Sequence, residues 1–322
     1  MLDPKDFSFD PQRQNWTALT PEAALEAIAG DELRTYDLRA YYETLVRETK
    51  RPLPLIEYYS KYLMLSADGE RHSALRKMAA NRFSATAQDV LSARENAVAQ
   101  IVSRFQTPGQ FDLISDSIRP AALDVMFALA GVGTEIIASD LISPSRSIGR
   151  LRRIEAELQA MHDYVQFHYS QEDADAKAMR IVLSLVGYEP LTAGLSINVM
   201  TLLLNNPGKR LCDINWPREF QTAPVRNVGR MAPADSSPAQ CPMRSVRVDT
   251  QVFLADPNNS YPSALFGRGK HSCMGRGITM MMWGALIEGL SQLPSRVEIV
   301  DYQAPDHWLF NVPIKAELQV VV

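Results

Sequence analysis

One ten-residue segment constrains the fold of this chain more than any other: Phe266-Gly-Arg-Gly-Lys-His-Ser-Cys-Met-Gly275. Two glycines before the cysteine allow a tight backbone turn, and a helical pattern begins at about Gly275 and runs to Gln292. We therefore expect Cys273 near a helix N-terminus, where free N–H groups and the helix dipole lower the pKa of a thiol. Three nearby cations should act in the same direction: Arg268, Lys270 and Arg276.

A lone cysteine on a glycine turn is open to other interpretations. A buried and inert thiol is the commoner fate of such a residue. A catalytic nucleophile is also conceivable, although no base is obviously organised to activate it. The remaining cysteines, Cys212 and Cys241, are too few and too scattered for a disulfide framework, which predicts reduced thiols and a cytoplasmic protein.

The segment resembles the haem-binding loop of the cytochrome P450 superfamily, whose pattern Phe-Gly-x-Gly-x-His-x-Cys-x-Gly is met at every fixed position, Gly275 included. The resemblance implies haem b as the cofactor. It implies that Cys273 is the axial iron ligand, and electron donation from such a thiolate favours O–O cleavage in this family. It also implies that Phe266 packs near the sulfur and that His271 contacts a haem propionate.

Two further segments carry the resemblance. His72 and Arg76 are four residues apart and therefore share a helix face, which read alone is more typical of a solvated surface. Beside the cysteine loop they resemble the helix-C motif of the family, in which both side chains bind propionates. Pro224 through Arg230, with Ala232 and Asp235, resembles the segment whose arginine also meets a propionate. Buried carboxylates need such paired cationic partners.

The helical patterns indicate a mainly α fold with a minor β part in the C-terminal third. The β-like pieces are Val246–Val248, Val252–Leu254, Val297–Val300 and Ala316–Val322, and the stretch from Asp175 to Leu204 could hold one long helix interrupted by Pro190. The resemblance implies a compact cytochrome P450-like fold that lacks parts of the N-terminal sheet, helices J and K and the meander. No sheet is evident before Tyr36. We expect residues 1–35 to be an N-terminal extension and residues 36–322 to be a single haem domain.

The central helix departs from the family. Where the family usually has an acid followed by threonine over the haem, this chain has Glu189 followed by Pro190, and Leu191 has no proton to give. The missing hydroxyl argues against the standard dioxygen-activating cycle and favours peroxide-dependent oxidation or a rearrangement. We expect Glu189 to be the catalytic acid–base, or to hold a cationic substrate; a solvent-facing helix charge is the alternative.

Composition limits the partners. The formal charge of −4 argues against a nucleic-acid partner, and no apolar run is long enough for a spanning helix, so no membrane partner is expected. We expect a haem-thiolate oxidoreductase that acts on a small organic molecule in natural-product metabolism. Two alternatives stay open: a monooxygenase that docks a ferredoxin-type redox partner on the basic surface near Cys273, and a non-catalytic partner protein. The sequence leaves the oligomeric state open.

Overall fold

In the computed structural model, the described residues are 4–10, 15–30, 33–35, 37–132, 148–231, 252–306 and 309–321. Cys241, the predicted strand Val246–Val248 and the matched positions Ala232 and Asp235 lie outside them. The helices are α1 (Pro21–Ala29), α2 (Leu38–Thr49), α3 (Pro54–Ser60), α4 (Gly69–Ala85), α5 (Ala87–Gln106), α6 (Arg119–Ala130), α7 (Ile148–His168), α8 (Ala174–Asn205) and α9 (Arg276–Leu290). The strands are β1 (Phe7–Asp10), β2 (Asn15–Ala18), β3 (Arg34–Thr35), β4 (Gly109–Asp112), β5 (Val228–Met231), β6 (Val252–Ala255), β7 (Arg296–Gln303) and β8 (Lys315–Val321).

The centre of the molecule is helical. Helix α6 packs between α5 and α8, and α9 packs against both α5 and α8. The largest hydrophobic cluster joins these four helices to strands β4, β7 and β8, with Trp283 of α9 fully buried in it. The fold is therefore mainly α with a minor β part, as the helical patterns predict.

The long helix α8 crosses the core as one element of 32 residues. Asp173 begins it as an N-cap whose carboxylate accepts from the Ala176 N–H at 2.7 Å. Most of its residues between Ala178 and Leu203 are buried, which explains why its sequence is apolar nearly all round. Pro190 lies inside this helix without ending it. The prediction of one long helix over this stretch is confirmed.

A five-stranded sheet, in the order β1-β2-β6-β5-β3, corrects the expectation that no sheet precedes Tyr36. Strand β2 pairs in parallel with β6, and β3 pairs antiparallel with β5, which places Thr35 opposite Arg230. All strands of this sheet are two to four residues long, and the partners of β2 and β3 lie about two hundred residues away in the chain. No local period can indicate such short strands. The boundary expected at residue 36 therefore separates strands of one sheet.

Two other features bear on the predicted architecture. A smaller antiparallel sheet, β4-β8-β7, contains both predicted C-terminal strands. Between Asn206 and Val228 the described chain has a single 3-10 turn, Leu211–Asp213, and no α-helix. The absence of particular helices and of the meander relative to the family stays a prediction.

Candidate functional site

A cavity of about 560 Å³ lies among α4, α8, β5 and the loop before α9. Its volume is within the range of small-molecule and cofactor sites, and its walls are predominantly apolar, as such sites usually are. It brings together all of the predicted cofactor residues, which the sequence scatters over about two hundred positions: His72, Arg76, Arg230, Phe266, His271, Cys273 and Gly275. The predicted catalytic residue Glu189 is not among the residues that line it.

The loop before α9 is shaped by its glycines. Gly267 has φ +71° and Gly269 has φ +64°, values that favour glycine. A Cβ on Gly267 would also lie 2.8 Å from the His271 carbonyl oxygen, too close for any other residue. The Cys273 N–H donates to the Phe266 carbonyl at 2.7 Å, which closes the loop and presents the cysteine at the start of α9. The local turn expected from the sequence is therefore present.

Cys273 lines the cavity, and its environment corrects one expectation. Cys273 is accessible to solvent, but the protein atoms around its thiol raise the pKa, and this outweighs the backbone N–H groups of Gly275 and Arg276 and the charge of Arg76, which all act to lower it. The helix terminus and the positive charge are therefore present as predicted. In the protein alone, however, the protein atoms packed around the sulfur have the larger effect on this pKa.

Four basic side chains line the same cavity as Cys273. His72 and Arg76 come from one face of α4, Arg230 from β5, and His271 from the cysteine loop. Backbone contacts hold the two arginines in place. Arg76 donates to the Ser272 carbonyl at 2.7 Å, and Arg230 donates to the Ile28 carbonyl at 3.1 Å.

The electrostatics of this group favour an anionic ligand. Burial lowers the pKa of His271 to about 4, with the charge of Arg230 and the His72 ring acting in the same direction. Burial and the charge of Arg76 likewise lower the pKa of His72, and burial lowers that of Arg230 to about 10. Each of these lowered pKa values shows that the positive charge of the side chain is not fully balanced by anionic groups in the protein alone. A ligand with carboxylates would supply the missing negative charge.

The wall contributed by α8 carries no proton donor. Its cavity-lining residues are Leu183, Val186, Gly187, Pro190 and Leu191. Pro190 does face the cavity, at the position where the resemblance leads one to expect a threonine. None of the α8 side chains that line the cavity carries a hydroxyl.

Glu189 departs from its predicted role because it lies on another face of α8. Two residues along an α-helix correspond to a rotation of about 200°, so Gly187 and Glu189 point in nearly opposite directions. The Glu189 carboxylate is 5% exposed and pairs with Arg119 at 3.2 Å across the α6–α8 contact. The Arg119 guanidinium also lies 5.8 Å from the centre of the Tyr188 ring. Glu189 thus joins two helices instead of facing the cavity.

This geometry predicts an asymmetric effect of breaking the pair. Arg119→Ala leaves a carboxylate that is 5% exposed without its cationic partner, whereas Glu189→Ala leaves a guanidinium that is 33% exposed and can reach water. We expect the first change to lower the free energy of unfolding by about 3–5 kcal/mol and the second by roughly half as much. Chemical denaturation measures both. Glu189→Gln should leave turnover within about twofold of the wild type, a barrier change of about 0.4 kcal/mol, because this side chain does not line the cavity. A large loss of turnover would restore the catalytic role.

Several residues of the site were not identified from the sequence. The Phe266 ring stacks on Phe220 with 5.5 Å between centroids, so Phe220 supports the cysteine loop from behind. Ile28 holds Arg230 through its carbonyl, and Thr35 contacts Asp68 close to His271. Nothing in the local sequence marks the buried ring of Phe220 or the contacts made by Ile28 and Thr35. Asp68 did have a sequence signal, since it stands four residues before His72.

The outer surface of the loop is basic. The three predicted cations, Arg268, Lys270 and Arg276, are all exposed, and Arg276 lies 5.9 Å from the centre of the Phe266 ring. Among the described residues, no three His, Cys, Asp or Glu side chains are grouped as ligands for a metal ion. A metal at Cys273 would therefore need most of its ligands from a prosthetic group. No helix in the described ranges is both long and apolar enough to cross a membrane.

Comparisons with known proteins agree with this arrangement. No protein-family model matches the sequence, and no curated protein sequence matches it significantly. Among solved structures, the chain is similar to P450BioI in complex with an acyl carrier protein that carries hexadec-9Z-enoic acid, with TM-score 0.68 and 18% identity over 95% of this chain and 92% of that one.

Two other structures extend the comparison. A thermophilic cytochrome P450 from Sulfolobus tokodaii gives a TM-score of 0.67 with 17% identity, over 98% of this chain and 96% of that one. A structure from work on unusual cytochrome P450-like monooxygenases involved in microbial secondary metabolism gives 0.70 with 15% identity, over 99% and 96%. Identities this low establish a shared fold. The chain has the fold of the cytochrome P450 superfamily.

Proposed function

We propose that this protein is a haem-thiolate oxidoreductase that acts on a small organic molecule. The observation that carries the proposal is that one cavity is lined both by the sulfur-bearing Cys273 and by four basic side chains, three of which have lowered pKa values. A lone thiolate suits an iron whose other ligands come from a porphyrin, and a group of basic side chains that includes two arginines suits the porphyrin carboxylates.

The residues of the cavity fit haem b. Cys273 would hold the iron, and His72, Arg76, Arg230 and His271 would hold the two propionates. Phe266 would pack beside the sulfur, supported by Phe220. Gly275 leaves room there, because even an added Cβ would be 3.7 Å from Sγ. Bound haem would supply the oxidising chemistry. The cysteine loop would provide a negatively charged sulfur, and the four basic side chains would fix the position of the macrocycle in the cavity.

The α8 wall favours an oxidant that needs no proton from it. Pro190 and Leu191 line the cavity where a relay hydroxyl would be expected, and Glu189 is engaged with Arg119. Peroxide already carries both the oxygens and the electrons, and a rearrangement needs neither supply. We therefore favour peroxide-dependent oxidation or rearrangement. Because the wall is apolar and Glu189 faces away from it, an uncharged apolar substrate fits better than the cationic one expected from the sequence.

A ferredoxin-dependent monooxygenase is the second candidate. The exposed group of Arg268, Lys270 and Arg276 beside the cysteine loop could dock an acidic electron carrier. A role in natural-product metabolism is supported by the similarity to monooxygenases of microbial secondary metabolism. A P450-like non-catalytic partner protein is the third candidate, although a pure scaffold has no need for the cysteine and the basic group.

A spectrum and a choice of oxidants separate these candidates. The purified protein, reduced in the presence of carbon monoxide, should show the strongly red-shifted Soret band of a thiolate-bound haem. A panel of apolar compounds is then incubated either with hydrogen peroxide or with a ferredoxin, its reductase and NAD(P)H. Products with peroxide alone support the first proposal, and products with the electron-transfer proteins alone support the second. A protein that takes up no haem would favour the scaffold and contradict both.

A further inference from the structure

The segment 216–223, which packs behind the cysteine loop, enters the core without forming a helix or a strand. Its Phe220 and Ala223 belong to the largest hydrophobic cluster. The Pro217 carbonyl accepts a hydrogen bond from the Trp283 indole of α9 at 2.9 Å. A buried backbone without the hydrogen bonds of a helix or a sheet needs partners from other elements. We call 216–223 the bracing segment.

Asn198 of α8 supplies such partners next to Phe220. Its side chain is buried, with 1% of the residue exposed. Its Oδ1 accepts from the backbone N–H of Gln221 at 2.7 Å and from that of Thr222 at 3.0 Å. Its Nδ2 donates to the carbonyls of Thr222 and Gly194, each at 2.8 Å. One amide group thus uses its full hydrogen-bonding capacity to tie the backbone after Phe220 to the long helix.

The Phe220 ring connects this attachment to the cysteine loop. The ring lies against α8 at Gly194, where an added Cβ would be 2.7 Å from Cε2 of Phe220. It meets the Trp283 ring edge to face, with 5.3 Å between centroids, and stacks on the Phe266 ring at 5.5 Å with 27° between the planes. The Phe266 carbonyl in turn accepts from the Cys273 N–H. A continuous series of contacts therefore runs from α8 to the cysteine.

The cysteine loop needs support of this kind. Its backbone turns at Gly267 and Gly269, and glycine has more conformational freedom than any other residue, so the turn alone does not hold the sulfur in one place. Phe220 does not line the cavity, whereas Phe266 and Cys273 do. Any influence of Phe220 on a ligand in the cavity must therefore pass through the loop.

We propose that Asn198 and Phe220 are positioning residues that hold the cysteine loop in its ligand-binding conformation through the Phe266 ring. The inference rests on the proposed haem site and adds a supporting layer to it. Asn198 fixes the backbone beside Phe220, and Gly194 leaves the space that the Phe220 ring occupies. The loss of groups that support a metal ligand usually costs about 10–100-fold in metal affinity.

The first test follows hydrogen exchange of the Cys273 amide in the apoprotein. This N–H donates to the Phe266 carbonyl at 2.7 Å and is protected until the loop opens. Phe220→Leu should speed its exchange about tenfold, because leucine keeps much of the apolar volume without the stacked ring. Phe105→Leu is the matched control. Phe105 is fully buried in the same cluster, and its ring pairs with Phe111 of β4.

The control separates positioning from general stability. Both substitutions remove a buried ring, so both should lower the thermal midpoint. Only Phe220→Leu should also weaken haemin binding, by about tenfold, and reduce the red-shifted Soret band of the carbon monoxide-bound protein at haem saturation. Phe105→Leu should leave the exchange of the Cys273 amide and the haem affinity within about twofold of the wild type.

Gly194 gives a second way to move the ring. Gly194→Ala places a Cβ against Cε2 and Cζ of Phe220, two atoms that leucine lacks. The substitution should speed exchange of the Cys273 amide in the wild-type background and change it less than about twofold in Phe220→Leu, since coupled residues are not additive. Gly284→Ala in α9 is the control, because an added Cβ there meets nothing within 4 Å.

Asn198→Leu tests the other end of the bracing segment. It removes all four hydrogen bonds of the amide and should speed exchange of the Cys273 amide at least as much as Phe220→Leu does. The double variant should exchange less than about twofold faster than Asn198→Leu alone, because both substitutions release the same contact.

Other outcomes overturn the inference. Equal exchange of the Cys273 amide in Phe220→Leu and Phe105→Leu would make Phe220 an ordinary core residue. Equal effects of Gly194→Ala in the two backgrounds would contradict the connection through the ring. If Asn198→Leu does not fold, the Gly194→Ala cycle decides the question without it. A wild-type protein that binds no haem would instead reject the proposed function, and the exchange rates of the apoprotein would still show whether Phe220 holds the loop.

Discussion

Replacing Cys273 with serine is expected to abolish the red-shifted Soret band of the reduced, carbon monoxide-bound protein. Serine is close to cysteine in size, so the loop should close as before through the hydrogen bond from residue 273 to the Phe266 carbonyl. Its hydroxyl stays protonated at neutral pH, whereas the thiolate is the form of cysteine that binds metals. The four basic side chains remain, so we expect haem to be retained in part with a spectrum that lacks the thiolate signature.

Cys212→Ser is the matched control for this change. Cys212 is an exposed free cysteine outside the cavity, and its replacement should leave the spectrum of the wild type unchanged. Loss of the band in both variants would point to general damage from the substitutions. An unchanged band in Cys273→Ser would assign the axial ligand to another residue and reject the central element of the proposed site.

Replacing Arg230 with methionine is expected to weaken haem binding at least about thirtyfold. Arg230 is the most buried arginine that lines the cavity, with 8% of its surface exposed. Methionine keeps much of its length without the charge. Removal of one partner from a buried, hydrogen-bonded charge pair costs about 2–5 kcal/mol, and every 1.4 kcal/mol is tenfold in affinity. Haemin titration of the apoprotein measures the effect.

Two controls separate affinity from stability in this experiment. Arg218→Met changes an exposed arginine and should bind haem as the wild type does. The Arg230 side chain also donates to the Ile28 carbonyl, so the thermal midpoint of each apoprotein must be compared. Arg230→Lys keeps the charge and should fall between the wild type and Arg230→Met. An affinity within threefold of the wild type for Arg230→Met would exclude this arginine from carboxylate binding.

The features that could be predicted from the sequence are those set by neighbouring residues. The turn at Gly267 and Gly269, the start of α9 and the shared helix face of His72 and Arg76 all follow from backbone freedom or from helix periodicity. The long helix α8 also follows from local pattern. The prediction that Pro190 stands where the family has a threonine depended on a single aligned position. Pro190 does line the cavity.

Errors arose where a long-range partner decides the outcome. Strands β2 and β3 pair with β6 and β5 from the far end of the chain, and β1 pairs with β2. Two to four residues are too few to indicate a strand alone. Glu189 was placed over the cofactor from its position in the aligned motif. Its rotation about α8 instead directs it to Arg119, because Gly187, Pro190 and Leu191 are the residues that face the cavity.

The sequence by itself determined that a cysteine stands on a glycine turn at the start of a helix, and that this loop has the pattern of a haem-thiolate ligand. Only the tertiary structure decided which side chains surround that cysteine, which way Glu189 points and what holds His271. The reason is physical. Turns and helix faces depend on steric preferences within a few residues, whereas the cavity depends on burial and charge pairing between segments such as Asp68 and His271, which meet only when the whole chain has packed.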